Sequence, residues 1–231
     1  MSGRTLSAAL QRLWKSTSGI AATEFAIVLP FLLGAGLMGL DLANRAIVQM
    51  QVSQLAMHIA DNASRIGDTS TLQDRKIYEA DLNDLFRGAQ IQGGSRIDLF
   101  RHGRVIVSSL EVVPGTEDQQ YIHWQRCLGS KNHISGYGLE GDGLDGGLAG
   151  MGPPGEEVWA FADDAVIFVE IAYDYQSLVG ATFGFSSEIN VTASFTVRDD
   201  RDLSQIYQRD ATDPDPIASC SIYGSAEALV T

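Results

Sequence analysis

Cysteine is scarce in this chain: among 231 residues only Cys127 and Cys220 occur, and no C-x-x-C pair is present. That argues against structural zinc held by thiolates, and no other metal or cofactor is expected. Positive charge is also in short supply, with 16 Lys and Arg against 29 Asp and Glu and a net charge of −13. Such a chain repels a phosphate backbone, so nucleic acid is not expected as a partner. Apolar material is not lacking. With 45% hydrophobic and 19% charged residues, wholesale disorder is excluded, and the length suits one packed domain plus an appendage.

Acidic residues are absent from one place in particular. Residues 1–19 carry Arg4, Arg12 and Lys15 and no acid, and Phe25 to Leu40 is a run without any charge. Extended back to Ile20, the stretch crosses about 30 Å of hydrocarbon at about 1.5 Å per residue. Only Glu24 interrupts it. A basic arm before the span places that arm in the cytoplasm and the acidic remainder outside. A cleaved secretory signal would need a small-x-small site after the span, and Leu42 to Ala46 offers a poor one. A plain signal anchor leaves Glu24 unexplained. A carboxylate at the centre of a membrane segment costs about 2.5–3.5 kcal/mol, less near the boundary, so its presence there points to a use.

Ser18-Gly19-Ile20-Ala21-Ala22-Thr23-Glu24-Phe25 resembles the processing site of type IV pilin-like proteins, specifically the TadE/TadG-like pseudopilins of tight-adherence (Flp) pilus systems. The resemblance implies cleavage by a membrane prepilin peptidase after Gly19. Ile20 then becomes the new N-terminus and Glu24 the fifth residue of the mature chain. It also implies other pilins, pseudopilins and the assembly platform as partners, and a bacterial inner-membrane precursor. Ile20 departs from the small residue expected after the cut. The chemistry is consistent in its own right, since a carboxylate four residues beyond a free amine lies about one helical turn, or 6 Å of rise, away. Pairing within one chain or between subunits offsets the burial of both charges. A carboxylate that merely reaches the headgroup layer is the simpler alternative.

Beyond the span, Val48, Val52, Leu55, Ile59 and Ile66 keep the 4-3-4-7 spacing of one apolar helical stripe, with Gly67 and Asp68 as the stop. The reading is a transmembrane and stem helix over 20–66, its outer half packed on a sheet. A juxtamembrane coiled coil competes with this, but barely three heptads are present. A shorter helix is expected from Thr71 to Arg87. A hairpin turning at His102-Gly103 is expected between strands at 97–100 and 105–113. Residues 165–175 and 189–197 alternate with period two as half-buried antiparallel strands. The fold class is therefore α+β, a long N-terminal helix on an antiparallel sheet in the lollipop plan of pilin-like proteins. The division is 1–19 leader, 20–66 helix and 67–231 extracytoplasmic domain.

Residues 136–155 hold nine glycines together with Glu140, Asp142 and Asp145. Backbone entropy makes this a surface loop; calcium is the alternative, but no EF-hand spacing occurs. His58, His102, His123 and His133 form no recognisable catalytic set, and no enzymatic activity is expected. In an exported compartment the two cysteines pair as a Cys127–Cys220 disulfide rather than remaining as two buried thiols. Two functions follow: a minor pseudopilin acting in pilus assembly, or an uncleaved single-pass membrane protein whose exported acidic domain binds a ligand or partner.

Overall fold

The computed structural model describes residues 18–68, 74–179, 188–198 and 200–224. They divide into two compact units, one within Met1–Arg45 and Ser177–Phe183, the other within Ala46–Gln176 and Gly184–Thr231. Helix α1 (Ser18–Ala63) contributes to both.

In the first unit α1 runs unbroken through Pro30. Its apolar side chains are uncovered, with Phe25, Phe31, Leu32, Leu40 and Leu42 each at least 60% exposed. A helix that is apolar all round needs lipid or other helices about it. Among the described residues it is the one helix long and apolar enough to cross a membrane. Asp41, the first charge after the apolar run, accepts hydrogen bonds from the Leu178 amide (2.8 Å) and the Ser177 hydroxyl (2.9 Å). This ties the returning segment to the helix.

The second unit is α+β. After α1 come α2 (Glu79–Ile97), the single turn α3 (Leu99–His102), and strands β1 (Gly103–Val112), β2 (Gln120–Leu128), β3 (Ala165–Asp174) and β4 (Glu188–Thr196). The sheet order is β2-β1-β3-β4, antiparallel throughout. The expected stripe of α1 is in the core: Val48, Val52, Leu55 and Ile59 are at most 5% exposed and share one cluster with residues of β1 and β3. The helix closes at Ala63, three residues short of Ile66. One further turn follows, in which the Ile66 amide donates to the Asn62 carbonyl at 3.1 Å.

Three expectations fail here. The shorter helix does not span Thr71 to Arg87, of which 71–73 lie outside the described residues. Ile77 and Tyr78 are instead extended, because Tyr78 pairs in parallel with Tyr207 and the Tyr207 amide donates to the Ile77 carbonyl at 2.8 Å. The helix starts at Glu79, where the Asp81 carboxylate accepts the Tyr78 amide at 3.0 Å. It continues through Gly88 to Ile97, kinked at Gly94, where φ is +58°. The hairpin at His102-Gly103 does not exist either, since residues 99–102 are helical. The hairpin partner of β1 is β2, which the alternation of its residues did not reveal. A bulge sets Ser109 opposite Trp124 and Leu110 opposite Ile122, leaving His123 without a cross-strand partner and breaking the period.

The third correction concerns the glycine-rich stretch, which is no mere surface loop. It folds onto the second face of the sheet, where Met151, Leu148 and Tyr137 pack with Leu110, Ile122, Val166 and Phe168. Gly143 passes so close to β2 that a Cβ there would stand 2.2 Å from the Gln120 carbonyl oxygen. Strand β3 is thereby buried on both faces rather than one. Glu170, on the face that a half-buried strand would turn to solvent, is 4% exposed and accepts hydrogen bonds from the Ser135 hydroxyl and the Gly136 amide. Burial raises its pKa despite them.

Candidate functional site

Gly19, Ile20 and Glu24 lie together in the first described turns of α1. Among the described residues, apart from its chain neighbours and the backbone of its own helix, no heavy atom stands within 4 Å of a Cβ built at Gly19; Ile20 is 57% exposed, and Glu24 is exposed one helical turn further on. The Thr23 hydroxyl donates to the Ile20 carbonyl at 2.8 Å. Along this stretch Gly34, Gly36 and Gly39 are equally open. What the helix offers is therefore an uncovered apolar surface for lipid or for other helices, with one carboxylate near its start.

The disulfide is present: Cys127 and Cys220 are bonded, their Cα atoms 4.7 Å apart. Cys127 is well packed, 3% exposed on β2. The bond is one part of a larger clasp that the sequence did not reveal. Arg104 of β1, 1% exposed, donates from its guanidinium to the carbonyls of Gly129 (3.0 Å), Cys220 (2.6 Å) and Ile222 (3.1 Å). It also lies 4.0 Å from the centre of the Tyr223 ring. Burial lowers its pKa. The Cys127 and Gly129 amides complete the clasp by donating to the Ala218 and Gly224 carbonyls.

Two buried carboxylates were missed as well. Glu79 at the start of α2, 2% exposed, takes a forked pair of bonds from Arg126 of β2, with Nη2 at 2.5 Å and Nε at 3.0 Å from its two oxygens. Glu111 of β1 is also 2% exposed. It accepts the Ser109 hydroxyl at 2.6 Å and pairs with His123 Nδ1 at 2.8 Å. His123 is the residue that the bulge leaves without a cross-strand partner. Tyr121 also bonds to Glu111; burial first, and then that carboxylate, push its pKa up to about 12.

Ser109, Glu111 and His123 do not form a nucleophilic triad, because the carboxylate stands between hydroxyl and imidazole and the histidine is not placed to activate the serine. The arrangement is a pH-dependent tie between β1 and β2. The Glu111 hydrogen bond raises the His123 pKa, with burial opposing. A raised folded-state value stabilises fully below the unfolded value near 6.5 and is lost as pH rises through the folded-state value. Wild-type stability should therefore fall, relative to His123→Gln, on going upward from about pH 6.5. Urea midpoints of the two proteins across that range check this. A constant difference would show that the pair does not titrate there.

The acids of the glycine-rich stretch have identifiable partners. Glu140 accepts the Gln125 amide (2.9 Å), Asp142 the Leu139 amide (2.8 Å) and Asp145 the Gly147 amide (3.2 Å). No group of three or more His, Cys, Asp or Glu that could hold a metal ion occurs among the described residues. Of the remaining histidines, His133 Nδ1 lies 4.0 Å from Glu188, while His58 and His102 stand on α1 and α3. Comparison with protein-family models, with curated proteins and with solved structures finds no match to this chain.

Proposed function

We propose that this chain is a TadE/TadG-like minor pseudopilin of a tight-adherence (Flp) pilus system, held in the bacterial inner membrane and cut by a prepilin peptidase between Gly19 and Ile20. The observation that carries the reading is the division of labour along one unbroken helix. Its early part bears Gly19, Ile20 and Glu24 within an uncovered apolar surface, and from Val48 onward the same helix supplies a core stripe to an antiparallel sheet. A cut at Gly19 leaves the apolar stretch as the head of the mature chain. The new amine at Ile20 and the Glu24 carboxylate, one turn apart, then pair within a chain or between neighbours. The disulfide supports an oxidising, extracytoplasmic setting for the sheet domain. In this role the protein does no chemistry of its own; it is processed, packs by its helix and contacts the assembly platform.

The mass of the mature protein tests the reading. Expressed together with a tight-adherence prepilin peptidase, the wild type should begin at Ile20. Gly19→Leu should retain residues 1–19 in full. Glu24→Ala should still be cut but fail to enter the assembly complex. A wild-type chain that still begins at Met1 under these conditions would favour the uncleaved single-pass protein with a partner-binding domain. Normal incorporation of the Glu24 variant would remove the role given to that carboxylate.

A further inference from the structure

Directly before β3 the usual order of burial is reversed. The small Ala160 is turned inward, 3% exposed, while its neighbours Trp159 and Phe161 are 58% and 68% exposed. The hydrophobic effect would bury the two rings first. The other described Phe and Trp residues of the sheet domain obey it: Phe86, Phe100, Trp124 and Phe168 are at most 7% exposed, and Phe195 is partly buried. A side-chain clamp holds the inverted segment. The buried Gln120 amide group accepts the Ala160 N–H at 2.7 Å and donates to the Ala160 carbonyl at 3.0 Å, making the two bonds that a neighbouring strand would make. On one side of the clamp Val158 pairs with Met151 through two backbone bonds, and on the other the Asp164 amide donates to the Phe161 carbonyl at 3.1 Å. The rings are thus presented by a fixed backbone.

The charge about them has one sign. Glu156 and Asp163 flank the pair in sequence, and Gln120 also donates to the Asp118 carbonyl at 3.0 Å, which brings Glu117 and Asp118 to the same end of the sheet. All four acids are exposed, and among the described residues none of them is in an ion pair. No lysine or arginine occurs in residues 105–125 or 132–197.

We propose that Trp159 and Phe161, clamped outward by Gln120 and flanked by these four carboxylates, dock an extended cationic segment of another protein that carries arginine or lysine at alternate positions. Aromatic faces attract such cations and cover their apolar stems, and the carboxylates supply the complementary field. Residues two apart in an extended chain lie about 6.5–7 Å apart on one side, so cations at alternate positions of the partner match the spacing of the two rings. Two other occupants fit less well. Aromatic anchors at a lipid surface work beside basic residues against anionic headgroups, and these carboxylates oppose that. A neutral glycan would stack on the rings but leave the carboxylates' charge without a counterpart. The surface lies within the sheet domain, so the proposal does not depend on cleavage at Gly19 or on a pilus.

Binding of a labelled peptide of six Arg-Ser repeats to the full chain in dodecyl maltoside micelles, followed by fluorescence anisotropy, tests it. The wild type should bind saturably, more weakly at about 300 mM than at about 50 mM salt, and should not bind six Glu-Ser repeats. The double variant Trp159→Ala, Phe161→Ala should raise the Kd for the Arg-Ser peptide about tenfold. With the rings intact, Glu156→Gln, Asp163→Asn should also weaken binding and flatten its salt dependence. An unchanged Kd in the aromatic variant overturns the proposal, because attraction by the net charge of −13 alone would then explain the binding. So does the absence of saturable binding. Ring-dependent binding of cellohexaose in place of the Arg-Ser peptide overturns it in favour of a glycan site. Should the aromatic variant fail to fold, the charge variant decides, and an unchanged Kd there refutes the proposal.

Discussion

Arg126→Ala should unfold much of the sheet domain's stability margin, costing about 3–5 kcal/mol out of the 5–15 kcal/mol typical of a domain. Three facts set that size. The Glu79 carboxylate is 2% exposed, the guanidinium holds both its oxygens, and the Arg126 side chain is itself only 13% accessible. Truncating the arginine therefore leaves a charge in the interior without its fork, and that desolvation is what costs so much. With a urea dependence of about 2 kcal/mol per molar, the midpoint falls by about 1.5–2.5 M. The double replacement Glu79→Leu, Arg126→Met should recover most of the loss, because an apolar pair of similar volume needs no compensation. Urea titration followed by near-ultraviolet circular dichroism on the full chain in detergent measures both. A loss below about 1 kcal/mol for Arg126→Ala would mean that water reaches Glu79, as at a surface ion pair.

This ion pair also marks where sequence reading runs out. In a chain with 29 acids and 16 basic residues, an isolated glutamate and arginine 47 positions apart read as solvated surface. Nothing local tells that α2 begins at Glu79 directly over β2. The legible parts share a different property: their signal is complete within one element. The stripe of α1 from Val48 to Ile59 shows because one face is core and the other is not, and β4 shows because its two faces differ in polarity. Strand β2 is illegible for the converse reason. The glycine-rich stretch covers one of its faces and helices the other, and a bulge interrupts what alternation is left. The glycine count correctly excluded a helix or strand at 136–155. It could not exclude packing, which rests on the few large side chains between the glycines. Cys127 and Cys220 were legible as a pair by number alone, but Arg104 was not, since its partners are backbone carbonyls that leave no trace in composition.

Removing the disulfide by Cys220→Ser should cost about 3–4 kcal/mol, somewhat below the roughly 4.7 kcal/mol that closure of a loop of about this length implies by chain entropy. The bridge spans 93 positions, and most of its effect lies in restricting the unfolded chain. The folded tail has a second anchor. Arg104 still holds the carbonyls of residues 220 and 222 and stacks on Tyr223, and the Cys127 and Gly129 amides still bond to the tail backbone. The single variant should therefore lose global stability while Tyr223 stays protected from a protease that cuts after aromatic residues. Arg104→Met with the disulfide intact should do the reverse in part: the covalent tie keeps residue 220 in place, but the segment beyond it loosens and cleavage at Tyr223 begins. Combining the two should release the whole tail from about Ile217. Because both anchors act on residue 220, the combined loss should exceed the sum of the single ones. Rapid cleavage at Tyr223 in Cys220→Ser alone would show that the arginine holds nothing once the bridge is gone. A strictly additive double variant would show that the two anchors act on separate parts of the tail.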